Sequence, residues 1–95
     1  IGTARVVEKP GRVAKIGRVA VLKEWRGKGV GEALMRFALH EAQTRGLVSA
    51  VLDAQTVAIA FYEKLGFVAE GPEFDDAGIL HRRMTRRLET PLQSA

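Results

Sequence analysis

At 95 residues the chain holds one domain at most, and a chain this short buries its core with a thin margin. Cysteine is absent and only His40 and His81 carry imidazoles, which excludes disulfides, thiolate metal sites and a cysteine nucleophile and disfavours a histidine metal centre. Fifteen Lys and Arg against 11 acids give a net charge of +4 and a pI near 10.0, a balance suited to anionic partners such as nucleotides.

Residues 3–8 alternate and carry β-branched side chains, so a strand is expected there. Lys9-Pro10-Gly11-Arg12 is a turn: proline presets φ at the second position and glycine accepts a positive φ at the third. Residues 13–22 form a second strand, whose apolar end at Val19, Ala20, Val21 and Leu22 expects cover on both faces. From Val30 the period changes. Val30, Leu34, Phe37, Ala38 and Ala42 share one face of a helix, with Glu32–Arg36 and Glu41–Arg45 as pairs on the wet side. Gly46 ends it as a left-handed cap. Residues 47–52 are a continuous apolar strand ending at Asp53, so strand, helix and strand make a βαβ crossover with parallel strands.

A second helix is predicted over 55–65, with Ala58, Phe61, Tyr62 and Leu65 on one face and Gly66 closing it. Residues 67–70 read as a short strand, Gly71-Pro72 and 75–78 as loops, and 79–88 as a last strand antiparallel to its neighbour. Residues 1–95 are one domain, with 89–95 a frayed tail. No apolar run approaches the roughly 20 residues that span a bilayer. The N-terminal residues alternate like a strand instead of forming a leader. A soluble cytoplasmic protein with no membrane partner is expected, and the start at Ile1 suggests processing or a missing N-terminal part. Arg82, Arg83, Arg86 and Arg87 read as a solvated strand end. Aromatic residues do not interleave the basic clusters as in single-strand binders, which disfavours nucleic acid.

The junction Arg26-Gly27-Lys28-Gly29-Val30-Gly31 places three glycines and two cations where a strand hands over to a helix. Backbone N–H groups at a helix N-terminus point at an anion, and glycines let the chain approach it closely. The pattern GxxxxGK[ST] is absent. A dinucleotide GxGxxG would need glycine or alanine at 32, where Glu32 stands, although Asp53 sits where a ribose-binding acid would. The pattern [RQ]xxGx[GA] is met by Arg26, Gly29 and Gly31. A tight turn holding no ligand is the remaining alternative.

In this last pattern the chain resembles the acetyl-CoA-dependent N-acetyltransferases of the GNAT superfamily. Two later blocks strengthen the resemblance: Leu52-Asp53-Ala54-Gln55-Thr56 followed by Ala60-Phe61-Tyr62-Glu63-Lys64-Leu65-Gly66-Phe67, and Phe74-Asp75-Asp76-Ala77-Gly78-Ile79-Leu80-His81, which is similar to the ElaA/YjcF-like group. Leu80 and Gln55 depart from that group's usual proline and asparagine. The resemblance implies an α/β fold of GNAT type: a mixed twisted sheet with a βαβ crossover and splayed parallel strands, here without the first strand and first two helices. It implies that Arg26, Gly27, Lys28, Gly29, Val30 and Gly31 cradle the CoA diphosphate. Val19, Ala20 and Val21 would line the pantetheine slot, with a backbone N–H near Val21 polarising the thioester carbonyl. Gln55 and Lys64 would contact the cosubstrate, and Tyr62 would protonate the departing thiolate.

The base that frees the amine is sought among Asp53, Glu70, Glu73, Asp75, Asp76 and His81. His81 has the natural pKa for that work. The expected activity is acetyl transfer to a primary amine by direct attack, needing no metal. The alternative is a non-catalytic acyl-CoA-binding or sensor module. A homodimer formed by sheet extension or strand exchange would repair a truncated edge.

Overall fold

The computed structural model describes residues 2–21 and 29–88. Strands β1 (Gly2–Lys9) and β2 (Val13–Val21) form a hairpin that feeds helix α1 (Val30–Thr44). Strand β3 (Ser49–Gln55) follows, then a 3-10 turn (Thr56–Ala58) running into a short helix α2 (Ile59–Glu63). Strands β4 (Val68–Asp76) and β5 (Ile79–Arg87) close the described chain. The sheet has the order β1-β2-β3-β5-β4, with β2 and β3 parallel and every other neighbour antiparallel. The βαβ crossover and the antiparallel last strand are therefore as the sequence reading expects.

Both helices lie on one face of the sheet. Ala14 and Ile16 of β2, Ala50, Leu52 and Ala54 of β3, and Met84 of β5 point into a core completed by Met35, Ala38, Leu39, Ala42, Leu65 and Phe67. Burial of such apolar side chains supplies roughly 25 cal/mol per Å². Alternation sends the intervening residues to the other face. There the register aligns Lys15 with Val51, Asp53 with Arg83, and Gln55 with His81. Among the described residues no helix covers that second face.

Three expectations need correction. The buried stripe of α1 is Met35, Ala38, Leu39 and Ala42, while Phe37 is 66% exposed and Leu34 only half-buried. Apolar residues at 34, 35, 37, 38 and 39 span too wide an arc to fix the centre of the stripe. The small Ala38 and Ala42 decide it, because they let the helix approach β1 and β2 closely. Strand β4 does not stop at 70 but runs through Gly71-Pro72. Residues 71–73 oppose Arg82 alone, and pairing resumes at Phe74↔His81. Proline is tolerated there because β4 is an edge strand and the bulge needs no ladder donor. Third, the second helix is a 3-10 turn plus Ile59–Glu63 and begins only after β3 has run on through Asp53 to Gln55. The caps after both helices and the pairs on α1 are as expected: Gly46 and Gly66 have positive φ, and Arg36 and Arg45 reach Glu32 and Glu41 at 2.9 and 3.2 Å.

The arginines of β5 are not simply solvated. Arg82 donates from Nε to the Gly71 carbonyl at 2.8 Å, which ties down the β4 bulge. Arg83 holds Asp53.

Candidate functional site

Strands β2 and β3 pair at Val13↔Ser49, Ala14↔Ala50 and Lys15↔Val51. They then part, although both continue, to Val21 and to Gln55. A cause lies on the far side of β2. Its register with β1 slips between Thr3 and Arg5, so Arg18 and Val19 together oppose Ala4. A bulge of this kind bends the strand that carries the extra residue and increases its twist. The two facing edges beyond Lys15 and Val51 are left without a mutual ladder. Backbone polar groups demand partners, and an extended ligand can supply them as an added strand does.

The gap is a real opening. A cavity of about 350 Å³ is lined by Ile16 and Leu52 from the helix-side face of the sheet, with Ala58 and Tyr62 from the turn and α2. Gly17, Asp53, Gln55 and His81 line it from the bare face. Because neighbouring residues on a strand point to opposite faces, a cavity touching both Ile16 and Gly17, and both Leu52 and Asp53, passes between the strands. It joins the helix side of the sheet to its open side.

Tyr62 stands at the helix-side end. It is half-buried, its ring meeting Phe61 edge-on at 5.0 Å and Phe67 at 6.0 Å. Burial raises its pKa above the usual phenol value, so the hydroxyl keeps its proton. His81 stands at the open end. Its Nδ1 lies 2.9 Å from the Ile79 carbonyl, and a carbonyl can only accept, so Nδ1 carries a proton, and in the neutral ring the lone pair is then on Nε2. Phe74 stacks on the ring at 5.9 Å and 21°, holding its plane. A phenol and an imidazole thus face one cavity from opposite sides of the sheet.

Of the acidic candidates, only Asp53 lines this cavity. Its carboxylate is engaged by Arg83 at 3.2 Å and approached by Lys15 at 4.0 Å. Asp75 accepts from the Gly78 amide at 2.9 Å and serves the β4–β5 turn. Glu70, Glu73 and Asp76 do not line the cavity either. Gln55 lines it, at the last position of β3. Lys64 does not; it is exposed at the C-terminal cap of α2.

At the start of α1, Gly29 adopts φ 78° and no side chain caps the helix. The amide of Ala33 bonds the Gly29 carbonyl at 3.0 Å, and the amides of Val30, Gly31 and Glu32, in the first turn of this 15-residue helix, have no partner among the described residues. A Cβ at Gly29 would meet nothing within 4 Å. Gly29→Ala therefore carries a purely conformational penalty. It is expected to lower the unfolding free energy by about 1–2 kcal/mol in a urea titration. Arg26, Gly27 and Lys28 lie outside the described residues, as do the side chains of Val19, Ala20 and Val21, whose backbone belongs to β2.

Gly17, Ile16, Leu52 and Ala58 were not picked out from sequence. Gly17 had a readable signal: a glycine inside an otherwise apolar strand marks a bulge or a close approach. It sits beside the bulge at Arg18 and Val19.

Comparison with known proteins agrees with this geometry. A model of the acetyltransferase (GNAT) domain matches residues 1–88. The N-acetyltransferase YjcF of Bacillus subtilis is 39% identical over 87 residues, covering 90% of this chain and 61% of YjcF. The structure of an acyl-CoA N-acyltransferase from Pseudomonas aeruginosa superposes with a TM-score of 0.82 at 32% identity, covering 90% of this chain and 59% of that one. Escherichia coli ElaA superposes with a TM-score of 0.83 at 28% identity, covering 90% and 60%. The chain spans about six-tenths of the length of the curated relatives it matches. With strands that part around a through-sheet cavity and a domain match reaching from Ile1 to Leu88, the chain belongs to the GNAT acetyltransferase family.

Proposed function

We propose that the chain transfers an acetyl group from acetyl-CoA to a primary amine by direct attack. The observation that carries this reading is the parting of β2 and β3 around a cavity with Tyr62 at one end and His81 at the other. The slot and the first-turn amides of Val30, Gly31 and Glu32 fit the cosubstrate's two recognisable parts, an extended amide-bearing arm and a diphosphate. Arg26 and Lys28 add charge of the right sign in the sequence next to that helix start. Acetyl-CoA supplies an activated acyl group whose leaving sulfur departs as a thiolate.

The residues divide the remaining work. Nε2 of His81 takes the proton that the attacking amine must lose. The amine nitrogen bonds to the acyl carbon as the carbon–sulfur bond breaks, and the Tyr62 hydroxyl gives its proton to the sulfur. Backbone N–H groups of β2 near Val21 polarise the acyl carbonyl. A preorganised donor of that kind lowers a barrier by roughly 3–4 kcal/mol. The bulge at Arg18 and Val19 supports this reading, because it turns strand amides away from the β1 ladder.

Thermal unfolding with and without acetyl-CoA tests the first half. At about 100 times Kd the ligand is expected to add roughly 2.7 kcal/mol. For a domain of this size that is a rise in Tm on the order of 10 °C. Transfer of radiolabelled acetyl to a panel of primary amines tests the second half. Stabilisation without transfer to any amine would leave a non-catalytic acyl-CoA-binding module, and no stabilisation would remove both.

A further inference from the structure

We propose that the amine acceptor also carries an anionic group, a carboxylate or a phosphate, seated against Arg5 and Lys15 on the bare face of the sheet. This rests on the acetyltransfer reading and names its substrate class.

The register sets the placement. Arg5 lies opposite Gly17, Val7 opposite Lys15, and Lys9 opposite Val13, so these side chains share the face that no described helix covers. They form a second hollow of about 250 Å³ lined by Arg5, Val7, Lys9, Lys15 and Gly17. Gly17 also lines the larger cavity that holds His81. Its missing side chain joins the two, since a Cβ there would meet nothing within 4 Å. An acceptor whose amine lies at His81 can therefore extend over Gly17 toward the cations.

Among the described residues the charge on this side is only partly paired. Among the described residues Arg5 and Lys9 form no ion pair. Lys15 comes only to 4.0 Å of Asp53, whose carboxylate is closer to Arg83 at 3.2 Å. Asp53 is the one acid lining either hollow, and it is already shared between two cations. Nor are these cations placed for the cosubstrate's diphosphate. Lys15 is near the beginning of β2, whereas α1 starts beyond its end at Val21, about 20 Å further along an extended chain. A hollow rich in one sign of charge raises the local concentration of the opposite ion and steers it inward.

The test compares matched acceptors on the full chain: 6-aminohexanoate against 6-aminohexanamide, and phosphoethanolamine against ethanolamine. At low salt, kcat/KM for an anionic member is expected to exceed that of its neutral partner about tenfold. A preference in the first pair alone assigns a carboxylate, and one in the second pair alone a phosphate. The ratio is expected to collapse toward one at about 0.5 M salt, where surface charge is screened. Arg5→Gln and Lys15→Gln are each expected to lower the ratio severalfold. Should either variant fold poorly, the salt series on the unmodified chain decides. Equal transfer to charged and neutral partners at low salt, or a ratio untouched by both substitutions, overturns the proposal and leaves the acetyltransferase reading standing. Transfer to none of the four, together with none to the wider amine panel, overturns both.

Discussion

Replacing Tyr62 by Phe is expected to lower kcat about a hundredfold to ten-thousandfold, the range of a positioned general acid, while Kd for CoA changes by no more than about twofold. The substitution removes one oxygen and keeps the ring. Contacts with Phe61 at 5.0 Å and Phe67 at 6.0 Å survive, so the variant should unfold at nearly the parent temperature. The size of the effect follows from the chemistry of the leaving group. A thiol has a pKa near 8.5 and a phenol near 10, so the proton moves uphill by at least about 2 kcal/mol. Burial raises the Tyr62 pKa further and adds to that slope. The hydroxyl can therefore work only where it is held beside the sulfur, with its proton passing as the carbon–sulfur bond breaks. The raised pKa also protects the acid form. Activity that needs protonated Tyr62 persists to higher pH than an unperturbed tyrosine would allow, and the alkaline limb of kcat is displaced upward from the usual phenol range. Parent-like turnover in Tyr62→Phe would remove the residue from the mechanism.

Phe67→Ala should be the most damaging single change to stability. Phe67 is 2% exposed and is the largest of the fully buried side chains. It follows the left-handed Gly66 that ends the α2 turn and belongs to the common core, with its ring against Tyr62. Truncating a buried Phe costs about 3–5 kcal/mol. A whole domain commonly has about 5–15 kcal/mol, and one of 95 residues has little to spare. The urea midpoint is expected to fall by more than 1 M, with an m-value near that of the parent. Because Phe67 also supports the Tyr62 ring, residual folded protein should show reduced kcat. A midpoint within about 0.3 M of the parent would mean that the site collapses around the smaller side chain.

The order of elements was legible because each rests on a local signal. The turn at Pro10-Gly11, the caps at Gly46 and Gly66, and the switch of period at Val30 all act through their immediate neighbours. What escaped depends on partners distant in sequence. The rotation of α1 is set by how closely Ala38 and Ala42 let it approach the sheet, and Phe37 is just as apolar as the residues that win. Gly71-Pro72 reads as a loop until Arg82 is found holding the Gly71 carbonyl across the bulge. The site divides in the same way. Tyr62, His81 and Gln55 were chosen from blocks of sequence, and the fold brings all three to one cavity. Lys64 came from the same block and stays outside. Gly17 and the Asp53–Arg83 pair were missed because their meaning lies in cross-strand register, which the sequence does not display.

The short shared ladder between β2 and β3 joins two sets of elements over one common core. One comprises β1, β2 and α1; the other comprises β3, α2, β4 and β5. Among the described residues, backbone bonding across this seam runs only from the Val48 amide on the Arg12 carbonyl to the pair Lys15↔Val51, so an extended guest lying beyond it would become a beam of the architecture and not merely cargo. Each turnover would then remove that beam and set it again, tying the stiffness of the protein to its own catalytic cycle.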